Sequence, residues 1–289
     1  MIRQSHAVRR WSGAGRSRRR IERLCGYPEW HVLTRFAPAP TGFLHLGHVV
    51  NALHVWGAAR EQGGSVLLRI EDHDRQRSRP EYDAAILEDL AWLGFAHHGP
   101  VVRQREREAI YQEALRPLID RGLVYGCRCT RSDLQGERYP NTCRERCLPL
   151  ADGAGWRVRF EPGVERFVDT IKGPQEQDPS EQCGDLLVRD RLGNWTYQFV
   201  AAVDDHLQGI TDVIRGEDLL ASTGRQLRLA WLIGRRTPPR FWHHPLVMKS
   251  PTQKLSKSDG DTGIRELRAS GMSSAAVLDM ARKVGNLLT

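Results

Sequence analysis

Short apolar runs alternate with segments of helical periodicity from residue 31 onward, and this order constrains the fold more than any other feature. Strand–helix–strand–helix order indicates an α/β domain, in which helices pack on the faces of a parallel sheet. The predicted strands are 31–37, 65–70, 156–160, 186–190 and 212–215, with a further regular segment at 197–203. The first predicted helix includes residues 49–56. Four further helices are predicted over 80–94, 104–121, 219–233 and 263–285.

Residues 127–185 interrupt this regular order, because they hold clustered cysteines and several glycines and prolines. We therefore predict one α/β domain whose two halves, 31–126 and 186–248, are separated by an insertion. Residues 249–289 are predicted to hold a lysine- and serine-rich loop and a short helical segment. Residues 1–30 are predicted to form a basic, disordered N-terminal extension.

Positive charge is concentrated at the amino-terminal end of the chain. The whole chain carries +8, but eight arginines and two glutamates give residues 1–30 a charge of +6, which leaves +2 for the remainder. We expect a polyanionic partner whose contact surface on the body of the protein is local. No apolar run approaches the ~18 residues of a membrane span, and the basic segment lacks the apolar centre of a secretory signal. We expect a cytoplasmic monomer that does not bind membranes.

A phosphate-binding motif is predicted where the first strand meets the first helix. The stretch 34–42 forms a Pro- and Gly-containing turn and leads into His45, Gly47 and His48. Open α/β sheets bind ligands at the carboxyl ends of their strands, and helix N-termini favour anions. The two imidazoles can donate N–H groups to a triphosphate, and the glycine lets a nucleotide approach closely. Two histidines in four residues are weak evidence when taken alone.

A second candidate phosphate motif lies near the C-terminus, where 254–258 contains Lys254 and Lys257. Lysine binds phosphate as a mobile point charge, so this loop can stabilise the negative charge of a leaving pyrophosphate. Taken alone, a pentapeptide rich in lysine and serine is typical of a solvated loop. The first motif supplies imidazole donors and a close approach for the nucleotide, and the second supplies positive charge for the leaving pyrophosphate. Together the two motifs predict an ATP site.

The two motifs together resemble the signatures of class I aminoacyl-tRNA synthetases, in the form carried by glutamyl-tRNA synthetases. The chain reads RFAPAPTGFLHLGH over 35–48 and KLSKS over 254–258. Three further stretches resemble motifs of that family, and the similar region covers about 31–260. The resemblance implies a Rossmann-like catalytic domain, with helices on both faces of a parallel sheet and an inserted zinc-bearing subdomain. The three further stretches are 68–74, 197–206 and 213–220.

The chain ends 31 residues after Ser258, and we expect no anticodon-binding domain. This architecture and the stretch 205–211 resemble the glutamyl-queuosine tRNA(Asp) synthetases, a family of short paralogues. That resemblance implies tRNA-independent activation of L-glutamate by ATP to glutamyl-adenylate, and transfer of glutamate to the queuosine base in the anticodon of tRNA(Asp). Three alternatives remain: a truncated enzyme charging the 3′ end of tRNA(Glu), a non-catalytic paralogue, and a protein that binds nucleic acid through its arginine tail.

A glutamate site needs cationic groups for two carboxylates and an anion for one ammonium group. Arg35 and Arg215 are candidates for the carboxylates, Glu71 for the ammonium, and Tyr197 for a hydrogen bond to a carboxylate. The resemblance implies the same four residues and adds Ala39, where the family usually has serine. The missing hydroxyl removes one hydrogen bond, worth about 0.5–1.5 kcal/mol. Which arginine binds which carboxylate stays open at this stage.

The resemblance also implies how ATP is handled. His45 and His48 would hold phosphates and Lys257 would stabilise the departing pyrophosphate, which makes these three the candidate catalytic residues. Gly47 and Lys254 complete the predicted ATP site, and Mg²⁺ would accompany ATP by bridging phosphate oxygens. Catalysis would consist mostly of positioning and charge stabilisation, because no protein nucleophile is required.

Six cysteines are too few for a disulfide scaffold, but four of them cluster between residues 127 and 147 and are typical of a metal site. The resemblance implies one structural zinc ion per chain bound by Cys127, Cys129, Tyr139 and Cys143. Cys147 is a rival for the fourth position, because a thiolate is a commoner zinc ligand than a phenol. Reduced thiols without a metal are the remaining alternative.

Overall fold

The structure of this protein is a computed structural model that describes residues 32–134, 136, 138–250, 253–254 and 263–287. The predicted extension 1–30 and the catalytic candidate Lys257 lie outside the described residues. Lys254 is described by its backbone alone. The strands are β1 (Leu33–Phe36), β2 (Ser65–Ile70), β3 (Val102–Arg103), β4 (Val124–Cys127), β5 (Gly155–Val158), β6 (Glu165–Asp169), β7 (Gly173–Gln177), β8 (Leu186–Arg189), β9 (Asp212–Gly216), β10 (Arg240–His244), β11 (Met248–Ser250) and β12 (Gln253–Lys254).

Helices follow the strands in the alternating order that the sequence predicts. The helices are α1 (Leu46–Glu61), α2 (Pro80–Leu93), α3 (Glu108–Asp120), α4 (Pro179–Cys183), α5 (Tyr197–Leu207), α6 (Thr223–Leu232), α7 (Ile264–Ala269) and α8 (Ser274–Val284). Helix α2 begins at Pro80, which suits a first helical turn, and ends before Gly94, whose φ of 81° is favourable only for glycine. Both boundaries confirm the prediction. Among these helices, none is long and apolar enough to cross a membrane.

Two predicted helices are each divided in the structure. The segment 104–121 contains a short 3₁₀ turn, Gln104–Glu106, before α3 begins, and Pro117 lies inside α3. The segment 263–285 forms α7 and α8, which are separated by a turn at Gly271 with φ of 85°. The regular segment at 197–203 is helical and belongs to α5.

The parallel sheet is built from both halves of the chain. Strands β1, β2 and β3 pair in parallel in that order, and β9 pairs in parallel with β10. Thr211, which precedes β9, donates its backbone N–H to the carbonyl oxygen of Leu33 at 2.8 Å. Strand β9 therefore begins beside β1, and the two groups of parallel strands are neighbours.

Alternate residues of the strands pack on opposite faces of this sheet, as the two-residue period of a strand requires. Leu68 and Ile214 belong to a buried apolar cluster that includes residues of α1, α2 and α8. The adjacent residues Leu67 and Val213 join a different cluster, which includes Leu227 of α6. Helices therefore cover both faces, and the predicted Rossmann-like fold class is confirmed.

The predicted insertion contributes to two different sheets. Strands β4, β5 and β8 form an antiparallel sheet, in which β5 starts within the insertion and β8 follows it. Strands β6 and β7 form an antiparallel hairpin, and β6 also pairs in parallel with β10 through Asp169 and Phe241. The two strands of this hairpin thus extend the sheet that contains β9 and β10. The domain boundaries at 127 and 185 stay a prediction.

Candidate active site

A cavity of about 250 Å³ lies where β1, β2 and β9 end, which is the ligand-binding edge of a parallel sheet. Four of the predicted glutamate-binding residues line it together, although they come from three strand ends and one helix. Ala39 is not among the residues that line the cavity. The lining residues are Arg35, Ala37, Asn51, Glu71, Tyr197, Ile214, Arg215, Gly216 and Leu219.

Arg35 and Glu71 are held by a buried network of charges. The Nε atom of Arg35 donates to Oδ1 of Asp205 at 2.9 Å, and Nη1 of Arg69 donates to the same oxygen at 2.8 Å. Nη2 of Arg69 also donates to Glu71 at 3.1 Å. Burial by itself raises the pKa of Asp205, but the charges of Arg35 and Arg69 outweigh burial and lower it to about 2. Asp205 is therefore ionised at neutral pH and orients Arg35 at the cavity.

Arg215 has a different set of partners, which are all neutral among the residues that the structure describes. Its Nη1 atom donates to the Tyr197 hydroxyl at 3.3 Å and to Gln226 at 2.7 Å, and Nη2 donates to the Thr223 hydroxyl at 3.0 Å. Its Nε atom lies 3.0 Å from Nε2 of His243. Arg215 is 4% exposed, so its charge is almost completely removed from water.

His243 connects Arg215 to a carboxylate on the other side of the imidazole ring. The Nδ1 atom of His243 lies 2.6 Å from Oδ2 of Asp169, and both side chains are fully buried. Burial and the adjacent charge of Arg215 lower the pKa of His243 to about 4, against the opposing effect of Asp169. His243 is therefore a neutral bridge between Arg215 and Asp169 at neutral pH.

The first phosphate motif forms the beginning of α1. His45 is the N-cap residue: its Nδ1 accepts from the backbone N–H of Gly47, and Nδ1 of His48 accepts from the backbone N–H of His45, each at 3.1 Å. Because both Nδ1 atoms accept, each neutral ring carries its proton on Nε2 and can donate there. The ring centroids are 3.9 Å apart. Two imidazole donors at a helix N-terminus suit a polyphosphate.

A second pair of imidazoles joins α1 to the end of β10. His54 stacks on His244 with ring centroids 4.2 Å apart, and Nε2 of His244 contacts the side-chain amide of Asn51 at 3.0 Å. Burial, followed by the neighbouring ring, lowers the pKa of His54 to about 4. Burial also lowers the pKa of His244. The pair is therefore uncharged at neutral pH and places Asn51 against the cavity.

Three of the clustered cysteines are close enough to hold a metal ion. The Sγ atoms of Cys127, Cys129 and Cys143 lie within 4.8 Å of one another, and those of Cys129 and Cys143 are 3.6 Å apart. Tetrahedral zinc with bonds of about 2.3 Å would separate its sulfur ligands by about 3.8 Å, so this donor set fits zinc. The Tyr139 hydroxyl lies 3.4 Å from the Cys127 sulfur, whereas Cys147 is exposed and outside the group.

Several residues that support the cavity were not predicted from the sequence as site residues. Asp205 lies in a stretch that carries the family resemblance, but its contact with Arg35 joins residues 170 positions apart. Asn51 carries one usable signal, since it lies one helical turn after His48 and is polar on a helix that is otherwise largely apolar. His243 and Asp169 carry no such signal, because their motif is assembled only when β6 pairs with β10.

The fold and the site define the catalytic domain of a class I aminoacyl-tRNA synthetase, a ligase. The sequence model of the family described as "tRNA synthetases class I (E and Q), catalytic domain" matches residues 31–287. The chain belongs to this family, and the resemblance stated from the motifs is confirmed. Within it, the chain is 45% identical over 243 residues to the Glutamyl-Q tRNA(Asp) synthetase of Bordetella bronchiseptica, covering 80% of this chain and 76% of that protein.

Full-length glutamate enzymes are similar to the chain over part of their length. The Glutamate–tRNA ligase of Thermosynechococcus vestitus is 38% identical, and the match covers 88% of this chain and 57% of that protein. The solved glutamate tRNA ligase of Elizabethkingia meningosepticum has a TM-score of 0.69 and 31% identity, covering 79% of this chain and 52% of that one. The chain thus spans about half the length of these larger relatives. Together the comparisons support glutamate activation by an enzyme of the glutamyl-tRNA synthetase type.

Proposed function

We propose that this protein activates L-glutamate with ATP in the absence of tRNA and transfers the glutamyl group to the queuosine base in the anticodon of tRNA(Asp). The observation that carries the glutamate half is the cavity, where Arg35 and Arg215 lie with Glu71 and Tyr197. The tRNA half is supported by the relatives named Glutamyl-Q tRNA(Asp) synthetase, of which the chain covers 76% in one case and 100% in another.

In the proposed complex, the two guanidinium groups bind the two carboxylates of glutamate. Arg35 is already paired with Asp205, whereas the hydrogen bonds that Arg215 makes to the described residues end on neutral groups. Arg215 therefore offers the larger uncompensated positive charge to a carboxylate. Glu71, which Arg69 orients at 3.1 Å, is the anion at the cavity for the ammonium group. Tyr197 would donate a hydrogen bond from its hydroxyl group to a carboxylate.

Activation joins this cavity to the beginning of α1. A carboxylate oxygen of glutamate attacks the α-phosphorus of ATP, a new P–O bond forms, and the bond to the leaving pyrophosphate breaks. His45 and His48 would donate Nε2–H groups to phosphate oxygens, beside the backbone of Gly47. Lys254 and Lys257 would neutralise the pyrophosphate, with Mg²⁺ bound to ATP. A hydroxyl group of queuosine then displaces AMP from the activated acyl carbon.

We assign zinc to the cysteine cluster, with Cys127, Cys129, Cys143 and Tyr139 as its ligands. The close sulfur atoms and the phenol oxygen supply four donors in one buried place, which is the closed set of a structural site. The ion would hold the loop between β4 and β5 in place and would take no part in the chemistry. Arg157 stacks over the Tyr139 ring at 3.6 Å, so the phenol is also held from the other side.

The decisive experiment incubates the protein with labelled glutamate, ATP and tRNA(Asp) with or without queuosine, and with tRNA(Glu) in parallel. We expect ATP–pyrophosphate exchange without any tRNA, and label on tRNA(Asp) only when queuosine is present. The variant Arg215→Ala should abolish both signals, whereas the control Arg166→Ala, in an exposed ion pair on β6, should retain them. Label on tRNA(Glu) instead would identify the protein as a glutamyl-tRNA synthetase, and absence of both exchange and label on either tRNA would indicate a non-catalytic paralogue.

A further inference from the structure

Arg215 differs from the other buried arginines near the cavity in the charge of its partners. Arg35 and Arg69 contact carboxylates directly at distances of 2.8–3.1 Å. Among the residues that the structure describes, no carboxylate oxygen contacts Arg215, whose hydrogen bonds all end on neutral groups. A buried guanidinium without an adjacent anion is costly. The hydrogen bonds of Arg215 reach a carboxylate through His243, whose Nδ1 atom faces Asp169.

The position of each proton along this route follows from which atoms can donate a hydrogen bond. The Nε atom of Arg215 always donates, so Nε2 of His243 must accept at 3.0 Å. The Nδ1 atom of His243 faces a carboxylate oxygen of Asp169 at 2.6 Å and therefore carries the ring proton. Only one tautomer of a neutral imidazole satisfies both contacts. Its orientation depends on Asp169, whose other oxygen, Oδ1, accepts the backbone N–H groups of Ile171 and Lys172 at 3.0 and 2.8 Å.

We propose that Asp169 and His243 are positioning residues for glutamate, which fix the guanidinium of Arg215 in the orientation that binds a substrate carboxylate. This inference rests on the proposed function, in which Arg215 binds glutamate. Asp169 is the last residue of β6, which lies within the insertion and pairs with β10 beside His243. The insertion therefore contributes to amino-acid recognition through a hydrogen-bond chain, in addition to its structural role.

The substitution Asp169→Asn tests this hydrogen-bond chain with almost no change in the shape of the side chain. The amide oxygen keeps the N–H groups of Ile171 and Lys172, so the new NH₂ group must face Nδ1 of His243. His243 then has to accept at Nδ1 and carry its proton on Nε2, directly opposite the Nε–H of Arg215. Two donors cannot share this contact, and Arg215 is displaced from its position at the cavity.

The experiment measures glutamate-dependent ATP–pyrophosphate exchange together with the ¹⁵N NMR spectrum of His243. For Asp169→Asn we expect the KM for glutamate to rise roughly 10- to 100-fold, because small displacements of a binding group have large effects. The KM for ATP should stay unchanged, and the ring proton should move from Nδ1 to Nε2. The matched control Asp178→Asn changes a capping carboxylate of the same insertion and should leave both KM values unchanged.

Two variants of His243 separate positioning from packing. Gln can accept from Arg215 and donate to Asp169, so His243→Gln should largely retain the wild-type KM for glutamate. His243→Leu keeps an apolar volume without these contacts and should behave like Asp169→Asn. Equal increases of the KM values for glutamate and ATP, accompanied by a lower melting temperature, would show a purely structural role and overturn the proposal. An unchanged KM for glutamate in Asp169→Asn would overturn it as well.

The NMR measurement on the wild-type protein decides the matter even where a variant fails to fold. A proton on Nδ1 of His243 at neutral pH supports the proposed hydrogen-bond chain, and a proton on Nε2 overturns the proposal. If the wild-type protein shows no glutamate-dependent exchange, the proposed function fails, whereas the tautomer of His243 still reports on the hydrogen-bond chain.

Discussion

Oδ1 of Asp205 lies 2.9 Å from Nε of Arg35, and Arg69 of the adjacent strand donates to the same oxygen at 2.8 Å. One carboxylate of α5 therefore holds arginines from β1 and β2, beneath the edge of the sheet where the cavity lies. Arg69 is fully buried and also binds Glu71. Two cavity residues, Arg35 and Glu71, are thus oriented by one buried network, which joins the two halves of the chain.

The first prediction follows from this network. Asp205→Asn leaves the charges of Arg35 and Arg69 without their shared anion, and breaking a buried ion pair in this way costs about 3 kcal/mol or more. For a protein of this size we expect the melting temperature to fall by about 6–12 °C. The control Asp279→Asn removes an exposed partner of Arg282 on α8, and a similar fall there would contradict the assignment.

The same network should make the thermal stability of the protein depend on pH under acidic conditions. The pKa of Asp205 is lowered from 3.8 to about 2 in the folded protein, so its contribution is present above pH 4 and is lost as pH falls toward 2. Thermal unfolding between pH 2 and pH 5 should therefore show a difference between wild type and Asp205→Asn that shrinks steadily toward pH 2. A difference of constant size over this range would mean that Asp205 does not act through its charge.

Asp89 gives a pH dependence of the opposite sign. Burial, with help from the charge of Glu88, raises the pKa of this α2 residue from 3.8 to about 6, and its Oδ2 atom has no hydrogen-bond partner among the described residues. The folded protein holds the extra proton between pH 4 and pH 6, so stability falls as pH rises through this window, by an amount on the order of 3 kcal/mol.

Asp89→Asn removes that titration while keeping the shape of the side chain. We expect its melting temperature relative to wild type to rise between pH 4 and pH 7 and then to level off. The variant Glu176→Gln, which alters an exposed partner of Arg166 on β7, serves as the control and should show no such trend. A pH-independent difference for Asp89→Asn would contradict the raised pKa.

Metal content tests the cysteine cluster directly. We expect one zinc ion per chain by elemental analysis of the wild-type protein and of Cys147→Ser, whose thiol lies outside the close group. Cys143→Ser should lose the metal and melt at a lower temperature, because a structural zinc site contributes to folding. Zinc lost in Cys147→Ser would make Cys147 a ligand in place of Tyr139, and zinc retained in Cys143→Ser would exclude Cys143 from the site. A metal-free wild-type protein would show that the cluster binds no zinc.

Lys257 belongs to the second phosphate motif, and its proposed role is specific to the leaving group. Lys257→Ala should reduce the rate of ATP–pyrophosphate exchange by about a hundredfold or more, as loss of a charge-stabilising group does. The dissociation constant of glutamate, measured by calorimetry without ATP, should stay at its wild-type value. Equal exchange rates in variant and wild type would exclude this role, and weakened glutamate binding would place Lys257 in the amino-acid site instead.

Sequence motifs identified the residues that point into the cavity, but not the ones that hold them. Arg35 and Arg215 were predicted because arginine suits a carboxylate and both lie in family-like stretches, and Glu71 because it follows a recognisable strand. Ala39 was predicted to contact glutamate on the same basis, and it does not line the cavity. Asn51 does line it and was missed, although its position one helical turn after His48 was a usable signal.

The sequence alone determined the α/β order and the group of cysteines, and it predicted the insertion at 127–185 and the two phosphate motifs. These features are local, because strand and helix periods, glycine turns and short metal-ligand spacings act over a few neighbouring residues. Only the tertiary structure decided which carboxylate supports which arginine. Asp205 reaches Arg35 across 170 positions and Asp169 reaches His243 across 74, so these buried polar groups meet only when distant elements pack and exclude water.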